Sequence, residues 1–117
     1  MTIHSGMIVR DRVVISSGDI AISTTVYAYG NMTVSSGGSV TSTTVDGGDM
    51  TVSGGSATST TVYYGEMTVD GGRATATTLN YDGNMTVSSG GSVTSTTVNS
   101  VGSMAVDEYG SATATTI

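Results

Sequence analysis

Few side chains of this sequence could take part in catalysis. His4 is the only histidine and there is no cysteine, so any pairing of a nucleophile with a base would depend on that one histidine. A catalytic base must also be oriented by a third group, and no such group is indicated near His4. We therefore expect His4 to be an exposed turn residue, and we expect the protein not to be an enzyme.

The acidic side chains fall mostly in predicted turns. One repeated position could form a column of oxygen ligands, and it is occupied by Asn31, Asp49, Glu66, Asn84 and Ser103. Stacked turn oxygens can bind calcium, but the GGxGxD nonapeptide of calcium-loaded β-rolls is absent. Asp and Asn also favour turns because their side chains bond to their own backbone. We predict solvated turn residues here, with no metal site and no cofactor.

Five tyrosines share one repeated turn, which follows a Thr-Thr-Val or Thr-Thr-Leu segment. These residues are Tyr27, Tyr29, Tyr63, Tyr64 and Tyr81. Exposed rings on a repeat could stack on sugars or contact a partner protein. Alternatively, the rings form a stacked ladder that shields the core at this corner. A carbohydrate-binding module that uses the tyrosine corner is therefore one functional hypothesis.

Threonines recur two residues apart in five of the repeats. The pairs are Thr41 and Thr43, Thr58 and Thr60, Thr75 and Thr77, Thr94 and Thr96, and Thr113 and Thr115. If both members point outward from stacked strands, they form a flat grid with spacings of about 7 Å along and about 4.8 Å across the strands. Such a grid resembles the ice-binding faces of antifreeze β-solenoids. Alternatively, threonine serves here as a soluble β-former or fills the interior.

The charge balance excludes several classes of ligand. The chain has 117 residues and a formal net charge of -6, and its only basic residues besides His4 are Arg10, Arg12 and Arg73. Nucleic acids and anionic membranes both require clustered positive charge, so we expect neither as a partner. No apolar run is long enough for membrane insertion by this segment.

These residues recur because the chain repeats one pattern. The stretch GNMTVSSGGSVTSTTV occupies residues 30–45 and again, unchanged, residues 83–98, and variants of it occupy 48–62, 65–79 and 102–117. The methionines of the repeats, from Met32 to Met104, are separated by 18, 17, 18 and 19 residues. Residues 12–26 match the same pattern at an offset of 19, with Val13 in the methionine position.

The pattern predicts an all-β fold. Runs of β-branched residues bounded by glycine pairs indicate short strands, and the glycines supply the positive backbone angles that tight corners need. A period of 17–19 residues suits a single-stranded parallel β-helix, a β-solenoid of about six coils. We place the repeats at residues 12–117 and a partial N-terminal coil or cap at 1–11. There, Thr2-Ile3 resembles the end of a Thr-Thr-Val strand and Met7-Ile8-Val9 resembles Met-Thr-Val.

Equivalent side chains of stacked coils form columns, and we expect three apolar columns to fill the interior. The first is Val13, Met32, Met50, Met67, Met85 and Met104; the second is Ile15, Val34, Val52, Val69, Val87 and Val106; the third is Val26, Val45, Val62, Leu79, Val98 and Ile117.

The orientation of the second strand of each repeat has two solutions. Strict alternation places Thr41, Thr43 and Val45 inside. A bend at Thr44 instead places Val40 and Ser42 inside, with the threonine pair outside.

The segment GGSVTSTTVDGGDMTVSGG, residues 37–55, resembles the passenger repeats of AIDA-type autotransporter adhesins. The similarity extends over residues 12–117. The resemblance implies a right-handed parallel β-helix displayed outside a bacterial cell, which acts in adhesion or self-association. Some members of that family carry sugars on serine or threonine hydroxyls of these repeats.

We therefore expect a structural β-solenoid of a bacterial adhesin or fibre, located extracellularly or at the bacterial cell surface. Its partners would be a host or bacterial surface glycan or protein, or further copies of the chain stacked head to tail through open strand edges. Ice binding by the threonine grid and sugar binding by the tyrosine corner are the alternatives.

Overall fold

The computed structural model describes residues 3–6, 8–88, 90–99, 102–106 and 110–113, with only the backbone at Thr113. These residues form 19 β-strands in three sheets, and every strand pairs in parallel with strands of neighbouring coils. The predicted all-β solenoid of about six coils is confirmed. The described residues contain no helix of the length and apolarity needed to cross a membrane.

Each coil contributes one strand to each sheet, so the three sheets run along the whole solenoid. Sheet 1 contains β1 (Ile3–Ser5), β4 (Ile20–Ile22), β7 (Ser39–Thr41), β10 (Ser56–Thr58), β13 (Arg73–Thr75), β16 (Ser92–Thr94) and β19 (Ser111–Thr113). Sheet 2 contains β2 (Ile8–Val9), β5 (Thr25–Tyr27), β8 (Thr44–Asp46), β11 (Thr61–Tyr63), β14 (Thr78–Asn80) and β17 (Thr97–Val98). Sheet 3 contains β3 (Arg12–Ile15), β6 (Asn31–Val34), β9 (Asp49–Val52), β12 (Glu66–Asp70), β15 (Asn84–Ser88) and β18 (Ser103–Val106).

The pairing register follows the sequence repeat. Met67 lies opposite Met50 on one side and Met85 on the other, and Val13 lies opposite Met32 as predicted. Differences in repeat length fall outside the strands, in the turn between sheets 2 and 3 and in the turn between sheets 3 and 1. Each side chain within the paired strands therefore has a defined counterpart one coil away.

The first coil differs from our expectation in register. Ile8 and Val9 pair with Thr25 and Val26 of sheet 2, so they continue the Thr-Thr-Val strand rather than the Met-Thr-Val strand. Ile3–Ser5 pairs with Ile20–Ile22 of sheet 1. His4 consequently takes the inward position beside Ala21 and is half-buried, and it does not lie in an exposed turn. Short apolar segments of similar composition made the two registers hard to distinguish.

The two glycines of a corner pair serve different needs, as Gly71 and Gly72 show. Gly71 has a φ of +76°, a left-handed conformation that side chains disfavour. Gly72 is not left-handed, but a Cβ there would lie 2.6 Å from the Val52 Cγ1 atom and 2.9 Å from the Gly55 carbonyl oxygen. Only the first residue of each pair supplies a positive angle, and the second allows close approach of adjacent coils.

A single left-handed residue turns the chain from sheet 1 into sheet 2. Ser42 has a φ of 56°, and equivalent residues of other coils have the same conformation: Ser23, Ser59, Ala76 and Ser95. This residue interrupts the alternation, so Val40 and Thr43 both point inward, while Thr41 and Ser42 face outward. The structure therefore differs from both sequence-based solutions, because the bend lies at Ser42 and not at Thr44.

The interior is filled by four apolar columns, three of them predicted. Met32, Met50, Met67 and Met85 are buried, while Val13 and Met104 are partly buried against the core. Val106 was predicted to be interior but is 43% exposed, since it belongs to the last described strand of sheet 3. Ile117 lies outside the described residues. The fourth column, from sheet 1, is Ala21, Val40, Ala57, Ala74 and Val93.

Candidate functional site

The Thr-x-Thr pairs do not form one surface. Their first members, Thr41, Thr58, Thr75 and Thr94, lie on the outer face of sheet 1. Their second members, Thr43, Thr60, Thr77 and Thr96, are buried in the interior with at most 1% exposure. Of the remaining pair, Thr113 is described by its backbone alone and Thr115 lies outside the described residues. The flat threonine grid that the ice-binding alternative requires is therefore not formed by the described pairs, because a left-handed residue separates the two members of each.

The inward threonines form a fifth column inside the solenoid, at the corner between sheets 1 and 2. Thr24 belongs to it as well. Among the described residues, none of the five Oγ1 atoms has a hydrogen-bond partner. An unpaired buried hydroxyl lowers stability, so this column is a polar defect in an otherwise apolar interior.

The outer faces carry hydroxyl groups on all three sheets. Sheet 1 presents Ser39 and Thr41 on one strand and Ser56 and Thr58 on the next, but Arg73 takes the serine position of the following coil. On sheet 2, one uninterrupted column consists of Thr25, Thr44, Thr61, Thr78 and Thr97. On sheet 3, another column consists of Thr33, Thr51, Thr68 and Thr86. The surface is thus a set of regularly spaced hydroxyls with few ionic groups.

Three of the five corner tyrosines contact one another. The ring of Tyr81 lies 5.9 Å from that of Tyr63 and 6.0 Å from that of Tyr64, centroid to centroid, with interplanar angles of 17° and 19°. Tyr63 is half-buried, whereas Tyr64 and Tyr81 are 61% and 52% exposed. We call these three residues the tyrosine cluster. It lies outside the interior, over a core that the buried Val62 and Leu79 already close.

The other two corner tyrosines lie apart from this cluster. Tyr27 shares an outward column of sheet 2 with Tyr63, but Asp46 stands between them, so the predicted ladder is not continuous. The Arg10 guanidinium carbon lies 5.4 Å from the centroid of the Tyr27 ring, a cation–π contact that the sequence analysis missed. The register of the first coil would have revealed it, because Arg10 follows the Ile8–Val9 strand as Tyr27 follows Val26. Tyr29 is 96% exposed.

The predicted oxygen column is formed, with Asn31, Asp49, Glu66, Asn84 and Ser103 in register along sheet 3. All five side chains are exposed at the first position of their strands. Within the described part of the chain, no group of three or more His, Asp or Glu residues converges as metal ligands would.

Comparison with known proteins yields a family match and a structural match. A family model described as the adhesin of the bacterial autotransporter system, probable stalk, matches residues 61–117. No curated protein matches the chain.

A solved structure that matches the chain is described as the crystal structure of the TibC-catalyzed hyper-glycosylated TibA55-350 fragment. The two chains are 42% identical and superpose with a TM-score of 0.83 over 89% of the present chain. The present chain spans 41% of the length of that fragment.

Proposed function

We propose that the solenoid mediates adhesion or self-association as a rigid rod on the bacterial surface, because its repeats match the family model of an autotransporter adhesin stalk over residues 61–117. The family match carries this proposal, and the match to the TibA fragment at 42% identity over 89% of the chain supports the solenoid architecture on which it depends. The same family match supports our proposal of a surface location, because autotransporter adhesins are displayed outside the cell.

The architecture suits a stalk. Each coil is joined to the next through three parallel ladders, and the interior columns run continuously from coil to coil. Backbone hydrogen bonds also connect the corners, for example from Thr61 N–H to the Thr43 carbonyl and from Ser42 N–H to the Thr58 carbonyl. Such nearest-neighbour contacts make a solenoid stiff along its axis while leaving its whole outer surface for contacts.

A display experiment tests this function. A non-adherent bacterium would carry the chain fused to a surface anchor, with the same anchor carrying a scrambled sequence of equal composition as the control. We expect faster settling of the cells, or stronger attachment to epithelial cells, with the native chain alone. Equal settling and equal attachment for both fusions would contradict the proposal.

We further propose that the outward hydroxyls of this chain accept sugars. The matching fragment is described as hyper-glycosylated, and this solenoid presents hydroxyl columns on all three outer faces. Accessibility divides the candidates sharply, since Thr58 is exposed whereas Thr60, two residues later, is buried. A transferase acting on the folded solenoid can reach the first hydroxyl and not the second.

Peptide mapping by mass spectrometry after co-expression with TibC tests this second proposal. We expect sugars on outward residues such as Ser56 and Thr58, and none on Thr43, Thr60 or Thr77. Modification of the buried threonines at equal frequency would mean that the chain is modified before it folds. Absence of any sugar would contradict the proposal.

A further inference from the structure

We propose that the tyrosine cluster of Tyr63, Tyr64 and Tyr81 binds arginine side chains of a basic protein segment. The inference goes beyond the proposed stalk function, since a rod that only extends from the cell does not need this surface. It rests on four features of the cluster: exposure, backbone conformation, flanking charge, and a cation–π contact already present in the neighbouring part of the chain.

The cluster exposes aromatic surface at an energetic cost. Tyr64 has a φ of 55° in the position where the preceding coil has Gly47, with a φ of 84°. Tyr81 also has a positive φ, of 40°. A bulky residue in this conformation is strained, a property that Tyr29 shares with its φ of 70°, so the strain adds to the argument only together with the stacking of the rings and the charge around them. Burial offsets little of that strain, because more than half of each of these two side chains is exposed.

Carboxylates flank the cluster. Asp46 is the ladder neighbour of Tyr63 on the outer face of sheet 2. Glu66 follows Tyr64 by two residues, Asp82 follows Tyr81 directly, and all three acidic side chains are exposed. The described residues form no salt bridge with these carboxylates, and the whole chain carries a net charge of -6. The electrostatic potential around the rings therefore favours a cation and disfavours an acidic ligand.

The chain itself shows this recognition. Arg10 lies over the ring of Tyr27, and Tyr27 occupies the same outward column of sheet 2 as Tyr63. A guanidinium is planar and stacks on aromatic faces while also bonding carboxylates, so it matches both kinds of group at the cluster. A neutral sugar would use the ring faces but would gain nothing from the net negative charge. These observations favour an arginine-bearing segment over the carbohydrate suggested by the sequence alone.

Binding of a fluorescent peptide of alternating glycine and arginine tests the inference, with a glycine–glutamate peptide as the probe control. We expect Tyr64→Leu and Tyr81→Leu each to weaken binding about two- to five-fold, the loss that corresponds to one exposed cation–π contact. Tyr64→Phe keeps the ring face and should bind within about two-fold of the native chain. Asp46→Asn should weaken binding and reduce its dependence on salt.

Tyr29→Leu is the matched control, because it removes a tyrosine with 96% exposure that is not part of the cluster. Its binding should equal that of the native chain. Thermal melting of every variant separates a loss of binding from a loss of fold.

Three results would overturn the inference: no preference for the arginine peptide, equal binding by the Leu variants and the native chain, or tyrosine-dependent binding on a neutral glycan array without binding of the arginine peptide. The second of these would indicate simple charge attraction. Because the assay uses purified protein, its failure is distinguishable from a failure of the display experiment.

Discussion

Replacing Thr60 by valine should make this protein more stable. Thr60 is buried, its Oγ1 atom has no partner among the described residues, and the same holds for Thr43 and Thr77 on the adjacent coils. Valine has nearly the same shape as threonine but lacks the hydroxyl. The substitution therefore removes an unsatisfied polar group without creating a cavity.

The expected gain follows from the cost of burying a hydroxyl. Mutational data place that cost at about 1–3 kcal/mol when no hydrogen bond compensates it. We expect Thr60→Val to raise the free energy of unfolding by about 1–2 kcal/mol, toward the lower part of that range because stacked repeats can adjust locally. For a domain of this size, the melting temperature should rise by roughly 4 °C for each kcal/mol.

Guanidinium and thermal unfolding of the native chain and two variants provide the assay. Thr58→Val is the matched control, because it makes the same change on the exposed outer face two residues earlier. Its effect should stay within about 0.5 kcal/mol. Equal denaturant slopes for all three proteins would show that the compared unfolding reactions are the same.

A loss of stability in Thr60→Val would refute the reasoning. It would mean that the hydroxyl is hydrogen-bonded in solution, for instance to its neighbours in the column. A variant with valine at every position of the column would then identify the arrangement, these positions being Thr24, Thr43, Thr60, Thr77 and Thr96. A chain of hydroxyl-to-hydroxyl bonds is broken by one valine, whereas five valines remove the whole chain and recover stability.

Four further substitutions test other parts of the fold by guanidinium unfolding. We expect Ala76→Gly to raise the free energy of unfolding by about 1 kcal/mol, because Ala76 has a φ of 58°, which glycine adopts without strain. A lower free energy of unfolding would indicate another backbone conformation at this residue. We expect Gly72→Ala to lower the free energy of unfolding by about 1–3 kcal/mol, since the added Cβ would lie 2.6 Å from the Val52 Cγ1 atom. Gly90 has a φ of +81°, and no atom of the described residues lies within 4 Å of the position of an added Cβ. We therefore expect Gly90→Ala to lower the free energy of unfolding by only about 1 kcal/mol, and a larger loss than for Gly72→Ala would contradict the packing argument. We expect Met67→Ala to lower the free energy of unfolding by about 2–5 kcal/mol, because it leaves a cavity in the core. A loss below about 1 kcal/mol would mean that neighbouring side chains move to fill the cavity.

Much of the fold was predictable from the sequence because the repeat imposes it. The methionine spacing gives the length of one coil. Stacking of equivalent residues on one another then places Met50, Met67 and Met85 in one buried column. The same logic correctly paired Val13 with Met32. Neither result requires knowledge of the turns.

The orientation of the threonines was not predictable, because it depends on one backbone angle. Strand alternation relates Thr41 to Thr43 only if the residue between them is extended, and Ser42 is left-handed instead. Serine and alanine occupy this corner without a glycine to signal it, as at Ala76. The contacts of the tyrosine corner depended in the same way on details of the turns, whose lengths vary between repeats.

The stacking of equivalent coils also bears on how this protein can evolve. Residues 30–45 and 83–98 are identical and lie 53 residues apart, that is, 83 minus 30, which corresponds to three coils. Recombination between the DNA encoding the two copies would delete or duplicate three coils without altering the sequence of the repeat at the junction. The length of the rod would change by about 14 Å, and every column would remain in register. Deletion would also remove residues 46–82, which contain the whole tyrosine cluster. One genetic event would therefore alter both the length of the solenoid and the number of its tyrosine clusters while leaving the fold intact.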